Sequence, residues 1–291
     1  MRRLIAVLLL CLSALPASSA LAWGQRGHRI IGHLAERHLS AASQAAVRTL
    51  LDGDDLATAS TWADTMRNAT DNPEFWNRYA STWHYVNLPK GVNHYAAAPH
   101  DNDTGDALQA LAAFSAILRD APVPAGPVRK GLEFYFGDLR RDPRAVKAFA
   151  LRFMIHILGD LQQPLHCGYA EDRGGNRVPL TWFGHPTNLH TVWDSLLVEN
   201  AQLSDTAYAN RLERRIAQTP LSDLRQMEQG DPQQWLNDAR ALLDRLYARH
   251  SQNPALNGAY AAEFTPAMEL QLERGGLRTA TVLNRLFGGG R

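Results

Sequence analysis

Two His-x-x-x-Asp pairs, His156/Asp160 and His190/Asp194, carry the residue types and spacing most able to do chemistry in this chain. On a helix, positions i and i+4 share a face, so each pair can present an imidazole and a carboxylate to one cation. Taken singly, such a pair is as readily a surface hydrogen bond. His156 differs because it lies in Arg152-Phe153-Met154-Ile155-His156-Ile157-Leu158-Gly159-Asp160, among apolar neighbours that imply burial. A buried carboxylate needs a partner, since an uncompensated charge there costs on the order of several kcal/mol.

Partners are available. His166 follows Pro164, which ends the helix and turns the chain so that a histidine beyond Asp160 can face the same cavity. Upstream, Trp62-Ala63-Asp64 and Trp83-His84-Tyr85 supply an acid and a base in aromatic surroundings. His28 stands five residues after Trp23, and an α-amino group exposed at Trp23 can chelate a metal together with its own carbonyl oxygen. Imidazole, amine and carboxylate form the ligand set zinc takes when cysteine is absent.

A free Trp23 requires processing. Arg2 and Arg3 precede the apolar run 4–12, and the small-residue site Ala20-Leu21-Ala22 follows, which reads as a secretory signal peptide over 1–22 cleaved after Ala22. Export to a periplasm or out of the cell follows from that reading. Loss of Arg2 and Arg3 turns the formal charge from +1 to −1. There is thus no general basic footprint for nucleic acid, and bound cations would have to supply the attraction. Cys11 leaves with the leader, and Cys167 stays alone, without an internal disulfide partner.

The remaining chain, 23–291, has room for one large domain; 45% hydrophobic and 20% charged residues exclude disorder and fibre. Apolar residues at three- and four-residue spacing predict helices over 27–39, 42–51, 56–68, 106–118, 128–139 and 143–160, then 204–218, 232–249, 260–273 and 277–287. Leu88–Thr104 reads as a polar loop, and Tyr169–Asn188 as a loop holding a small β-hairpin around the apolar run Val178–Phe183. No stretch after the leader is long enough to span a membrane. The expected fold is mainly α, a single-domain multi-helix bundle with a small β-hairpin.

Trp23-Gly24-x-x-Gly27-His28, Trp62-Ala63-Asp64-x-x-Arg67, Trp83-His84-Tyr85, His156-x-x-x-Asp160, Gln163-Pro164-Leu165-His166, Gly174-Gly175-Asn176 and Asn188-Leu189-His190-x-x-Trp193-Asp194 occur in that order. This series resembles the trinuclear-zinc single-strand nucleases of the S-one/P-one type, relatives of zinc phospholipase C. The likeness is strong from Trp23 to Asn200 and continues weakly through Trp235 and Gly275-Gly276-Leu277-Arg278 to Leu283-Asn284.

The resemblance implies a phospholipase C/nuclease-like bundle and three Zn2+. Asp64, His84 and His156 would hold one ion; Trp23, through its amino nitrogen and carbonyl oxygen, and His28 a second; Asp160 would bridge these two. His166, His190 and Asp194 would hold the third. Arg67 matches the family arginine that neutralises charge on the phosphorus, with a plain salt bridge as its alternative. Tyr85 is similar to the aromatic that stacks on a nucleobase. Substrates would be single-stranded DNA and RNA and nucleotides with a 3′-phosphate, cut to 5′-phosphorylated products by a monomer that does not insert into membranes.

Departures sit beside the matches. After Tyr85 the fungal members carry acidic residues where this chain reads Val86-Asn87-Leu88-Pro89, so Asn87 becomes the candidate base contact, its amide able to donate and accept. Asn176 is a candidate substrate contact or a turn residue. Asn68-Ala69-Thr70 and Asn102-Asp103-Thr104 are glycosylation sequons in a host that glycosylates. Trp62, Trp83 and Trp193 read as cavity wall or core. His33, about 140° around the first helix from His28, reads as structural, and His94, His100, His185 and His250 as solvated. Besides the nuclease, a zinc phospholipase C, which carries glutamate as its last ligand, and a non-enzymatic zinc-binding protein remain open.

Overall fold

The computed structural model describes residues 23–92, 94–95 and 103–289. The expected leader, His100 and Asn102 lie outside them. Helices start where a side chain or proline answers their unpaired N–H groups. Ser40 caps α2 (Ala41–Leu50), Asp55 caps α3 (Leu56–Met66), Asp106 caps α4 (Ala107–Leu118) and Asp142 caps α6 (Pro143–Asp160). Pro127 opens α5 (Pro127–Phe136), while α1 (Gln25–Arg37) begins at Gly24 without a side-chain cap. Between α3 and α4 a π-turn (Phe75–Tyr79) and a 3-10 turn (Ala80–His84), not legible from periodicity, carry the chain to His84.

After α6, a 3-10 turn (Pro164–Cys167) redirects the chain at the expected proline. The hairpin forms from β1 (Pro179–Trp182) and β2 (His185–Asn188), and a short β3 (Ala255–Leu256) pairs parallel to β1, so the sheet has three strands ordered β2-β1-β3. α7 (Leu189–Thr191), a π-turn (Val192–Leu196) and α8 (Leu197–Glu199) run on from β2. α9 (Asp205–Gln218), α10 (Leu221–Glu228), α11 (Pro232–Arg240), α12 (Leu243–Gln252) and α13 (Gly258–Phe287) complete the fold.

Three expectations are corrected. The helix read over 232–249 is two, because the chain tightens at Ala241-Leu242, where Leu242 N–H bonds to the Ala239 carbonyl at 3.2 Å. The helices read over 260–273 and 277–287 are one. Gly275 and Gly276 stay helical because they let α1 approach: a Cβ on Gly276 would lie 2.4 Å from Leu34 Cβ. α10 has only Met227 buried, too little apolar pattern to be read as a helix.

Two apolar clusters flank the elements that meet around α1. One gathers Phe75, Trp76, Trp83, Phe114, Phe149 and Phe153 beside α3, α4 and α6. The other joins Trp23, Ile30, Ile31 and Leu34 to Trp193, Tyr260 and Phe264. Trp83 and Trp193 are thus core, as is Trp62 in part, packed edge-on against Trp76 and Phe153. No helix among the described residues is long and apolar enough to cross a membrane.

Candidate metal centre

α6 crosses α1 and α3 at its C-terminal end, and this crossing brings the expected ligands together. His28 comes from α1, Asp64 from α3, His84 from the end of its 3-10 turn, and His156 and Asp160 from α6. Asp160 lies at the middle, completely buried. Its oxygens are 3.3 Å from His28 Nε2, 3.3 Å from His84 Nδ1, 3.2 Å from His156 Nε2 and 3.7 Å from His166 Nδ1. His84 Nδ1 and His156 Nε2 approach to 2.9 Å, and the His28 and His156 rings stack at 3.9 Å. The i,i+4 reading of His156/Asp160 holds on an ordinary α-helix.

The second pair arrives differently. His190 belongs to α7 and Asp194 to the following π-turn, yet His190 Nε2 still lies 3.0 Å from Asp194 Oδ2. His166, from the 3-10 turn after Pro164, stacks on His190 with centroids 5.0 Å apart. The ligand-capable atoms form three tight groups: His28/Asp64/His156, His84/His156/Asp160 and His166/His190/Asp194.

Backbone carbonyls orient the rings. His156 Nδ1 donates to the Ser60 carbonyl at 2.6 Å, His166 Nδ1 to the His84 carbonyl at 2.9 Å, and His190 Nδ1 to the Gly174 carbonyl at 2.6 Å. Each such bond fixes the tautomer whose Nε2 faces the cluster, as a metal ligand requires. Gln163 donates from Nε2 to Asp194 Oδ1 and accepts from Leu165 N–H at 2.6 Å. Gln163, a motif residue with no role legible in the sequence, thus holds Asp194 to the turn after Pro164.

What remains is a set of buried polar atoms without hydrogen-bond partners: both nitrogens of His28, both oxygens of Asp64 and Asp160, Nε2 of His84 and His166, and Oδ2 of Asp194. Orphan carboxylate oxygens are costly in a protein interior. Divalent cations fit the atoms of this set that face the cluster, one nitrogen of His28 and of His166 and the carboxylate oxygens; His84 faces it through Nδ1 instead. Burial opposes ionisation of Asp160, but His156 and His166 outweigh it and hold the carboxyl well below the usual carboxylate range. His84 moves the other way, with burial lowering it to about 4.

Trp23 is fully buried, and the next residue ties this segment to the site: Gly24 N–H donates to the Asp194 carbonyl at 2.7 Å. Arg67 is at the rim, partly exposed, with Nη1 3.5 Å from Asp64 Oδ1, so the ion-pair reading and the rim position both apply. Tyr85 follows His84 in extended backbone and is 38% exposed. Asn87 lies two residues on, its Oδ1 buried without a partner. The segment is paired to the His166 turn through Val86 N–H to the His166 carbonyl (2.8 Å) and Leu88 N–H to the Gly168 carbonyl (3.0 Å). Arg240 clamps that turn from behind, donating to the carbonyls of Cys167, Gly168 and Val92.

Asn176 is not gathered into the cluster. Its amide closes its own turn on the Arg173 carbonyl at 2.8 Å, the turn role left open above. His33 faces Glu36 and Asp55, away from the ligands. His94 and His185 are exposed, but His250 sits on α12 within 3.1 Å of the Pro179 carbonyl rather than in a loop.

Residues 23–288 match the family profile of the S1/P1 nucleases. The chain belongs to the S1/P1 nuclease family. Endonuclease 5 of Arabidopsis thaliana is 30% identical over 92% of this chain and 91% of its own length. Nuclease P1 of Penicillium citrinum is 23% identical over 91% of this chain and 98% of its own. Among solved structures, the alpha-toxin of Clostridium perfringens covers 92% of this chain and 65% of that one at 16% identity and a TM-score of 0.38. This member of the S1/P1 family is a metal-dependent nuclease, a phosphodiester hydrolase, and the phospholipase and non-enzymatic readings give way to it.

Proposed function

We propose that the protein is an exported endonuclease and 3′-nucleotidase holding three Zn2+. In this reading it works as a monomer on single-stranded DNA, RNA and 3′-phosphorylated nucleotides, and leaves 5′-phosphates. The observation that carries it is the row of orphaned, buried imidazole and carboxylate atoms in three groups. Asp64, His84 and His156 would hold the first ion and Trp23 and His28 the second, with Asp160 shared by both, a division of the two groups that overlap at His156; His166, His190 and Asp194, a group of their own, would hold the third. The central place of Asp160 supports its bridging role. Zinc held there supplies Lewis acidity, which acidifies water and offsets phosphate charge.

The chain's own groups do the rest. Arg67, at the rim beside Asp64, can donate to a phosphate oxygen as negative charge accumulates on it. Tyr85 offers an exposed ring on which any base can stack, and this favours single strands, whose bases are free. Asn87, half-buried two residues beyond Tyr85, stands as the base contact through its amide group, its Oδ1 being turned inward toward the Gly174 turn. Residues 1–22 direct export, and their removal frees the Trp23 amine.

The test uses protein beginning at Trp23 and a single-stranded oligonucleotide, with and without a zinc chelator, and maps the product ends. Chelator-sensitive release of 5′-phosphorylated products is expected. Chelator-resistant cleavage or 3′-phosphorylated products would overturn the reading.

A further inference from the structure

The third ligand group is held from a distance of sequence that no motif spans. His190 depends on one hydrogen bond for its orientation, from Nδ1 to the Gly174 carbonyl at 2.6 Å. That carbonyl belongs to a turn with left-handed backbone at both glycines, φ +61° at Gly174 and +81° at Gly175. A Cβ on Gly174 would lie 2.2 Å from the Leu165 carbonyl oxygen, so the glycine turn is pressed against the 3-10 turn that begins at Pro164. Asp172 closes it, with Oδ1 accepting from Gly175 N–H at 2.7 Å. The other oxygen of the same carboxylate accepts from the hydroxyl of Tyr247 on α12 at 2.6 Å. Burial and the neighbouring Asp172 push the Tyr247 hydroxyl up, so it keeps its proton and remains the donor.

We infer that Tyr247 and Asp172 are positioning residues for the third metal ion. They fix the Gly174-Gly175 turn, whose carbonyl sets the tautomer and direction of the His190 ring. The inference rests on the three-zinc reading above. Hydrogen bonds behind a ligand histidine govern metal affinity, and their loss typically weakens binding about 10- to 100-fold. A role in general stability alone would weaken all three sites together or none.

The experiment measures zinc bound per protein across a series of zinc buffers. It compares the chain beginning at Trp23 with Tyr247→Phe, Asp172→Ala and the conservative Asp172→Asn, whose amide oxygen can still accept from Gly175. Cobalt-loaded protein provides a second readout, the visible absorption of the ions. Tyr247→Phe and Asp172→Ala are expected to release one ion at roughly tenfold higher free zinc or more while retaining two at parental affinity. Asp172→Asn should restore most of that affinity. Three ions held at parental affinity by both disruptive variants, with unchanged cobalt spectra, would overturn this inference alone. A parent that takes up no zinc would overturn the three-ion reading and this inference with it. Tyr247→Phe removes one hydroxyl from a half-buried ring, so it keeps the test valid if Asp172→Ala fails to fold.

Discussion

The two halves of the metal centre are built by different means. His28, Asp64, His156 and Asp160 stand on the long helices α1, α3 and α6, nearly or fully inaccessible to solvent. His166, His190 and Asp194 stand on a 3-10 turn, a single helical turn and a π-turn, and the two histidines are slightly more open. Helix packing places the backbone of the first set, with one carbonyl bond, from Ser60, orienting His156; in the second set hydrogen bonds from Gln163, Gly174 and Asp172 hold the turns themselves. The contrast separates positions set by bulk apolar burial from positions set by a few directional bonds.

Removing a ligand should expose the difference most. Asp160→Asn is expected to cost about 10³-fold in kcat/KM or more and to reduce bound zinc by two, as the proposed sharing of this carboxylate by two ions requires. Asp194→Asn should reduce it by one. Equal zinc losses would erase the contrast. A single additional residue before Trp23 is expected to remove one zinc and most activity, and equal activity in processed and extended protein would remove the amine from the ligand set. Arg67→Ala, which leaves both cradles intact, should lower kcat by about 10²-fold with three ions still bound. Zinc loss in that variant would show instead that Arg67 supports Asp64.

A smaller effect belongs to substrate. Tyr85→Ala is expected to raise KM by about tenfold, in line with roughly 1–3 kcal/mol for one base stacked on an aromatic ring. A change confined to kcat would end the stacking role.

A pH profile tests the contrast in the metal-free protein, where His84 and His166 pull in opposite directions. Without metal, burial lowers His84 to about 4; for His166 burial also disfavours charge, but Asp160 and then Asp194 outweigh it and raise the ring to about 9. His84 binds its proton more weakly folded than unfolded, so stability is lost as pH falls from about 6.5 toward 4. His166 binds its proton more tightly when folded. Its contribution is full below about 6.5 and lost as pH rises through about 9. The Tm of the metal-free protein should therefore peak near pH 6.5, and zinc, replacing the His166 proton, should remove the alkaline decline. A Tm that climbs steadily from pH 6.5 to 9 in metal-free protein would contradict this.

The same division decides what could be read from sequence. The i,i+4 pair His156/Asp160 was legible because an apolar run around it implies one buried helix, and α6 is that helix. His190/Asp194 was legible by spacing, although the segment is not a plain α-helix. Asp172 and Tyr247 left no such trace: their pairing spans 75 residues and depends on α12 lying behind the turn. The fusion of α13 across Gly275-Gly276 was missed for a related reason, since glycine marks a break when read locally and a close contact when a second helix lies on it. Asn176, read as a substrate contact or a turn residue, makes the bond of the turn residue, which stays within its own turn.

The glycine contacts on α1 carry one more consequence. Gly32 touches the backbone of Leu56 and Ala57 on one side, and Gly276 touches Leu34 on the other, so the helix bearing His28 is wedged between two neighbours with no slack. A single methyl group added at Gly32 or Gly276 would come within 2.4–2.7 Å of Leu34 or of the Leu56-Ala57 backbone, so the helix that carries His28 must give way. Inherited loss of activity can thus originate at positions that touch neither nucleic acid nor metal, and a survey of variants restricted to the ligands would pass over them.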